Sequence, residues 1–156
     1  MDAADIDKKT NLLRIDGFPP ESFHRILLDP PCSAWGLRPK LTMVQTKIEQ
    51  LQSVCSYQQQ FIKSAVRLLI PGGIMTYSTC TINTGENEAM VRYILDEYPM
   101  MELLPIHTSI GGPGWVGFGL NADEIEYVRR FDPTHATIDD SIGFFVARFG
   151  KRIYEA

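Results

Sequence analysis

The chain has 156 residues, which is long enough to bury one hydrophobic core and too short for more than one domain. Its formal net charge is −4, whereas a domain that holds RNA mainly through its own phosphate contacts is expected to be basic. The acidic N-terminus predicts no signal peptide, and no apolar run is long enough to cross a bilayer. Three cysteines without close pairing argue against a disulfide framework, so we expect a reducing, cytoplasmic environment.

The first half of the chain predicts a strand, a helix and a second strand. Residues 25–28 form a short apolar run, which is typical of a strand buried on both faces. Residues 47–69 repeat apolar side chains at spacings of three, four and seven, so they predict a long helix. Pro71-Gly72-Gly73 is expected to end that helix, and residues 74–77 form the second strand.

The second half continues the alternation. Thr84 is expected to cap a helix that reaches Tyr98, and residues 101–106 predict a third strand. Residues 121–130 predict a short helix, and residues 142–149 predict the last strand. This order is typical of an α/β sheet, in which crossovers make the first strands parallel neighbours and the final strand is an antiparallel addition.

Two cysteines follow the two predicted parallel strands. Asp29 and Cys32 come just after the first strand, and Cys80 comes just after the second. Because the carboxyl ends of such strands share one edge of the sheet, we expect both thiols and the carboxylate to face one crevice. Cys55 lies on the apolar face of the long helix and is expected to be buried as a small hydrophobic residue. Without a Cys-x-x-Cys pair, two cysteines do not complete a tetrahedral site, so we expect no metal.

Five segments around these residues form a recognisable set. They are Asp29-Pro30-Pro31-Cys32-Ser33, Tyr77-Ser78-Thr79-Cys80-Thr81, Glu86-Asn87-Glu88, Arg130-Phe131-Asp132-Pro133-Thr134-His135 and Asp140-Ser141-Ile142-Gly143-Phe144-Phe145. The set resembles the signature segments of the RNA cytosine-5 methyltransferases of the NSUN (Sun-domain) family, over residues 23–150. Gly36-Leu37-Arg38-Pro39 and Ile110-Gly111-Gly112 look most like the subgroup with a PUA RNA-binding domain, which modifies tRNA and some messenger RNA.

The resemblance implies a fold, an activity and roles for particular residues. The fold would be the C-terminal half of a Rossmann-like S-adenosylmethionine-dependent methyltransferase, and the activity would be methyl transfer to carbon 5 of cytosine in RNA. Cys80 would attack carbon 6 of the ring, and Cys32 would help to release the product. Asp29 would hydrogen-bond or protonate ring nitrogen 3 and, with Pro30, Pro31 and Asp2, would line the methyl-donor pocket.

Ionisation of the attacking thiol sets a further expectation. A thiol is a nucleophile as the thiolate, so a positive field is expected beside Cys80. The start of the helix after Asn83-Thr84 is predicted to supply it, because helix N-termini carry partial positive charge.

Four residues are candidates for contact with the RNA partner. Arg38 and Lys40 lie next to the Cys32 segment, where phosphate contact and a solvated loop are equally consistent with the sequence. Arg130 and His135 are candidates through the resemblance.

The chain also departs from the family pattern. The glycine-rich donor-binding loop of the family is not found, so residues 1–156 are interpreted as a single partial catalytic domain that is inactive alone. The alternative is a truncated or degenerate fragment that acts at most as an interaction module.

A rival assignment uses the same residues. In the DNA cytosine-5 methyltransferases the nucleophile belongs to a Pro-Cys segment, which here would make Cys32 the attacker and Glu86 its partner. The Ser-Thr-Cys-Thr segment favours Cys80, because the DNA enzymes need no cysteine there.

Residues 112–117 match the nucleotide-binding pattern G-x-G-x-x-G. Pro113 removes a backbone donor and Trp115 crowds a phosphate, so we interpret this segment as a surface loop. Trp115 or Phe118 would offer a face on which an RNA base could stack.

Overall fold

A computed structural model of the chain describes residues 6–7, 12–13, 18–38, 47–133 and 140–153. In chain order its elements are β1 (Ile6–Asp7), β2 (Leu12–Leu13), β3 (Phe23–Leu28), α1 (Ile48–Leu68), β4 (Leu69–Thr79), α2 (Glu88–Glu97), β5 (Met101–Leu104), α3 (Ala122–Tyr127), β6 (Arg129–Phe131) and β7 (Phe144–Lys151). β1 and β2 pair with each other, and the other strands form one five-stranded sheet.

The larger sheet has the order β3-β4-β7-β5, and β6 also pairs with β7. β3 and β4 are parallel neighbours, as the sequence predicts. β7 is antiparallel to β4 and to β5, so β3, β4 and β5 all run in one direction. The predicted α/β sheet with a final antiparallel strand is therefore confirmed, and that strand lies between β4 and β5.

Helix α1 follows the predicted range 47–69 closely, because its apolar residues form one face. Ile62, Ala65 and Val66 are at most 4% exposed and belong to the same core cluster as the sheet residues. The chain then passes directly into β4, since the backbone N–H of Leu69 still donates to the carbonyl of Ala65.

The prediction that Pro71-Gly72-Gly73 separates helix and strand is wrong. β4 begins before these residues, and its register against β3 jumps from the pair Phe23–Leu69 to the pair Arg25–Ile74. The glycine at position 72 has a φ of +78°, a conformation that favours glycine over other residues. The three residues form an irregularity within the strand. Their sequence alone indicates a loop, although proline and glycine are typical of both.

Helix α2 begins at Glu88, four residues later than the predicted cap at Thr84. Residues 84–87 form turns. The buried side chain of Asn87 accepts a hydrogen bond from Thr79 and donates one to the carbonyl of Thr81. This amide holds the end of β4 in place, and the segment that precedes the helix is therefore shaped by tertiary contacts.

Helix α3 is shorter than predicted. Asn121 caps it by accepting hydrogen bonds from the backbone N–H groups of Asp123 and Glu124. The helix ends at Tyr127, because the next segment pairs with β7 as β6. Pairing with a distant strand overrides the helical pattern at residues 129–130.

The core surrounds β7, in which Phe145, Ala147 and Phe149 are fully buried. β3 is an edge strand of the sheet in the part of the chain that the structure describes, and its Leu27 is 77% exposed, so the prediction that this strand is buried on both faces is wrong. Within these described ranges, no helix is both long and apolar enough to cross a membrane.

Candidate active site

Two loops meet at the carboxyl ends of the parallel neighbours β3 and β4. The Sγ atoms of Cys32 and Cys80 are 3.2 Å apart, and both thiols are free and partly buried. The Asp29 carboxylate is exposed and accepts a 3.2 Å hydrogen bond from the Ser78 hydroxyl. The structure thus brings together the two sulfurs and the carboxylate that the sequence predicts at one edge of the sheet.

Further contacts lock the two cysteine loops together. The hydroxyls of Ser33 and Thr81 are 2.8 Å apart, and the backbone N–H of Gly36 donates to the carbonyl of Cys80 at 3.0 Å. Gly143 in turn donates its N–H to the carbonyl of Gly36 at 2.8 Å. A Cβ atom on Gly36 would lie 2.0 Å from the Gly143 carbonyl oxygen, so only glycine fits this approach.

Beneath the loops lies a buried pair, Gln58 of α1 and Glu86. Neither side chain is exposed to solvent. Glu86 accepts hydrogen bonds from the Ser33 backbone N–H at 2.9 Å and from the Asn83 side chain at 2.8 Å. Gln58 donates to the Pro31 carbonyl at 3.0 Å and to Glu86 at 3.1 Å. The two side chains thus contact both loops.

The sequence prediction did not identify Gln58, although a signal for it exists. Its position is three residues after Cys55 and four before Ile62, so it falls on the apolar face of α1. A glutamine on that face is buried and needs hydrogen-bond partners, which marks it as a polar contact inside the core.

The pKa of the Cys80 thiol is raised from its ordinary value of 9.0 to about 11. Burial is the largest cause, followed by the hydrogen bond with Cys32 and by the negative charges of Cys32 and Asp29. The expected stabilisation of the thiolate by a helix start at Thr84 is wrong, because α2 begins at Glu88 and the net effect on the thiol is the opposite. In the free protein this thiol carries its proton at neutral pH.

The predicted RNA contact of Arg130 is not supported, because the side chain is buried. It is 3% exposed, forms an ion pair with the fully buried Glu88 and donates to the Ile82 carbonyl at 3.0 Å. Its guanidinium also lies 4.0 Å from the ring centroid of Trp115. Arg130 therefore links α2 and the loop at residues 112–117 to the chain just after Cys80, and its charge does not face solvent.

The remaining predicted contact residues differ in what can be said of them. Arg38 is exposed on the loop that follows Cys32, where a phosphate could reach it. Pro30 is buried and Pro31 is exposed beside Asp29. Three other predicted residues lie outside the described residues, namely Asp2, Lys40 and His135.

The glycine-rich loop at 112–117 is held by the protein itself. The N–H groups of Gly112 and Gly114 donate to the carbonyls of Arg130 and Ile125, and that of Trp115 donates to Glu88. These donors are therefore not free to bind a phosphate. Trp115 stays 40% exposed and Phe118 43% exposed, so each retains a face open to solvent.

The site offers thiol and carboxylate chemistry. Two thiols within hydrogen-bonding distance of each other allow one to act as a nucleophile and the other to exchange protons beside it. Across the described ranges, no group of three or more His, Cys, Asp or Glu side chains is arranged to bind a metal ion.

Comparison with known proteins places this geometry in a family. Residues 2–150 match the family model "16S rRNA methyltransferase RsmB/F". The chain is 48% identical over 143 residues to the rRNA (cytosine-C(5))-methyltransferase NOP2C of Arabidopsis thaliana, which covers 85% of the chain and 24% of that relative. It is 37% identical over 155 residues to the human tRNA (cytosine(72)-C(5))-methyltransferase NSUN6, covering 86% of the chain and 33% of that relative.

A solved structure shows the same fold. The crystal structure of NSun6 from Pyrococcus horikoshii with SFG superposes with a TM-score of 0.67 at 36% identity, over 82% of this chain and 30% of that one. The chain therefore spans between about a quarter and a third of the length of the relatives it matches.

Proposed function

The chain belongs to the RsmB/F methyltransferase family, and on this premise we propose that it carries the two-cysteine part of a centre that methylates carbon 5 of cytosine in RNA. The observation that carries the proposal is the 3.2 Å approach of the Cys32 and Cys80 sulfurs beside the Asp29 carboxylate. The names of relatives specify rRNA and tRNA cytosines as substrates, which supports a structured RNA as the partner.

The chemistry requires a nucleophile because carbon 5 of cytosine is unreactive. The Cys80 sulfur adds to carbon 6, which breaks the double bond between carbons 5 and 6 and moves an electron pair towards ring nitrogen 3. The proton lost by the thiol passes to ring nitrogen 3, the new N–H donates a hydrogen bond to the Asp29 carboxylate, and carbon 5 becomes able to attack a methyl group. Because the Cys80 pKa lies near 11, docking of the base must accompany loss of the thiol proton.

Product release reverses the addition. After methyl transfer, carbon 5 holds both the methyl group and a proton. Loss of that proton to solvent restores the double bond and expels the Cys80 sulfur, which takes back the proton held on ring nitrogen 3. Cys32 lies beside the sulfur that must leave, so we assign to it the assistance of this elimination.

The methyl donor is S-adenosylmethionine, which when bound supplies an electrophilic methyl group on a cationic sulfur. The exposed Asp29 carboxylate at the end of edge strand β3 fits a cationic donor, and the exposed Pro31 lies beside it. SFG, which accompanies the related Pyrococcus horikoshii structure, is an analogue of this donor.

The rival assignment of Cys32 as the attacker is less compatible with the geometry. It needs the Glu86 carboxylate to contact the base. That carboxylate is fully buried and already accepts hydrogen bonds from Ser33, Gln58 and Asn83. Asp29 is the carboxylate with an exposed position beside the thiols.

Methylation assays with radiolabelled donor and in vitro transcribed tRNA or rRNA test the proposal on a full-length protein, in which this chain replaces the matching segment of a relative such as human NSUN6. Cys80→Ala is expected to abolish methyl transfer, and Cys32→Ala is expected to accumulate a covalent protein–RNA adduct. Cys55→Ala is the matched control, since Cys55 lies on α1 and bonds to the Gly85 carbonyl, away from the thiol pair. An adduct in Cys80→Ala and none in Cys32→Ala would reverse the assignment.

A further inference from the structure

The backbone on both sides of Cys32 is held by side chains that are fully buried. The Pro31 carbonyl, just before the cysteine, accepts a 3.0 Å hydrogen bond from Gln58. The Ser33 N–H, just after it, donates a 2.9 Å hydrogen bond to Glu86. The loop that carries this thiol is thus fixed at the residue before it and at the residue after it.

The two anchors also bind each other and the strand that leads to Cys80. Gln58 donates to the same Glu86 oxygen that accepts from the Cys32 loop. The Tyr77 hydroxyl donates to the Glu86 carbonyl at 2.7 Å and is 3.2 Å from the Gln58 side-chain oxygen. Asn83 completes the set by donating to the second Glu86 oxygen. One buried network therefore joins both thiol segments.

The composition of this network is hard to explain by packing alone. Gln58 occupies a position on the apolar face of α1 where a leucine or methionine would bury without needing partners. Both polar ends of its side chain are used: two partners, Pro31 and Tyr77, precede Cys32 and Cys80, and the third, Glu86, follows Cys80. A network of this kind fixes one arrangement of the groups it joins, because a half-satisfied alternative is costly.

We propose that Gln58 and Glu86 are positioning residues that hold the Cys32 sulfur against Cys80. Neither residue touches the reacting base, and both act through the loop backbone. The consequence for turnover rests on the proposed function, in which Cys32 assists release of the adduct. The effect on the distance between the sulfurs does not depend on it.

Thiol proximity can be measured without RNA. In a Cys55→Ser background, diamide oxidises the two remaining thiols to a disulfide: two protons and two electrons pass to the diazene, which becomes a hydrazine. Gln58→Met and Glu86→Met are expected to slow this reaction by about tenfold or more, because a small misplacement of reacting groups costs one to two orders of magnitude in rate. Gln52→Met, an exposed position on α1, is the matched control.

The direction of the change identifies its cause. Loss of an acidic side chain does not disfavour a nearby thiolate, so a slower reaction in Glu86→Met reports on distance. Glu86→Gln keeps an oxygen for the Ser33 N–H and is expected to restore most of the rate. If the methionine variants break the fold by circular dichroism, Gln58→Asn replaces them, since it is polar but too short to reach Pro31. Oxidation at the control rate in folded variants would overturn the proposal.

Turnover supplies a second readout that loss of stability would not produce. In the full-length protein, Gln58→Met is expected to accumulate the same covalent RNA adduct that is expected for Cys32→Ala. The kcat is expected to fall by a larger factor than the change in KM. If Cys32→Ala itself yields no adduct, the proposed function fails while the diamide assay still decides the positioning role. If Cys32→Ala yields adduct and Gln58→Met turns over normally, the positioning role is refuted.

Discussion

At the scale of single residues, the tertiary environment changes what each side chain can do. The sequence analysis expects a positive field beside the Cys80 thiol, yet burial and the neighbouring Cys32 and Asp29 raise its pKa to about 11. Arg130 is a candidate RNA contact through the family resemblance, yet it is buried against Glu88. Each assignment changes once the neighbours of the side chain are known.

The raised pKa of Cys80 has a defined sign. The folded protein holds the thiol proton more tightly than the unfolded chain, so this group favours folding below pH 9 and that contribution is lost as the pH rises through about 11. Alkylation of Cys80 by iodoacetamide is therefore expected to be slow at neutral pH and to rise towards pH 11.

Cys32→Ala tests the cause of that shift. It removes one hydrogen bond and one nearby charge, so Cys80 is expected to react faster at neutral pH than in the parent protein. Mass spectrometry of the Cys80 peptide, in a Cys55→Ser background, gives the rate. An unchanged pH profile would show that Cys32 does not influence the thiol.

The buried ion pair predicts a large loss of stability. Arg130→Met leaves the Glu88 carboxylate buried without its partner, so the free energy of unfolding is expected to fall by about 3–5 kcal/mol. Arg152→Met, which removes an exposed arginine paired with the partly exposed Glu102, is the control and is expected to cost about 1 kcal/mol or less. Urea unfolding measures both. Equal losses, together with weaker RNA binding by Arg130→Met, would restore the predicted RNA role.

At the scale of elements, periodicity predicted the long helix well and the connections less well. α1 was found within a residue of each predicted end because a three-and-four repeat of apolar residues is a local property. The start of β4 and the end of α3 were misplaced because strand pairing with β3 and β7 decided them. The residues Pro71-Gly72-Gly73 suit both a loop and a strand irregularity, so their sequence does not distinguish the two.

The contact between the Cys32 loop and the segment before β7 predicts the effect of one methyl group. Gly36→Ala would place a Cβ 2.0 Å from the Gly143 carbonyl oxygen, so the loop must shift. The expected loss is about 1–3 kcal/mol in the free energy of unfolding, with slower oxidation of the Cys32–Cys80 pair.

Gly112→Ala is the matched control for that change. Its Cβ would lie 3.8 Å from the Arg130 carbonyl oxygen, an ordinary van der Waals contact. Denaturant unfolding and the diamide assay compare the two variants. Equal stability of the two would mean that the loop tolerates the shift.

At the scale of the whole molecule, the order of the sheet explains why the two thiols meet. The length of the chain bears on whether it binds the methyl donor. β3 and β4 run parallel and end at the same edge, and β7 separates β4 from β5. β3 is an edge strand in the described part of the chain, and the relatives are three to four times as long as the matched region. The glycine-rich donor loop of the family was not found in these 156 residues.

We therefore predict that the 156-residue polypeptide alone does not bind S-adenosylmethionine with micromolar affinity and does not methylate RNA. Isothermal titration calorimetry of the isolated chain measures this directly, with the full-length protein as the positive control. Saturable micromolar binding by the isolated chain would contradict the prediction. It would also remove the support for the alternative that the chain acts only as an interaction module.

The sequence by itself determined the two cysteine segments, the helix α1, the parallel strands and the family, because these follow from local periodicity and short motifs. Only the tertiary structure decided the 3.2 Å distance between the sulfurs, the Gln58–Glu86 network, the burial of Arg130 and the position of β7 inside the sheet. The physical reason is separation along the chain. Partners such as Gln58 and Glu86, or Arg130 and Glu88, are 28 and 42 residues apart, and no local pattern records which distant group satisfies a buried polar atom.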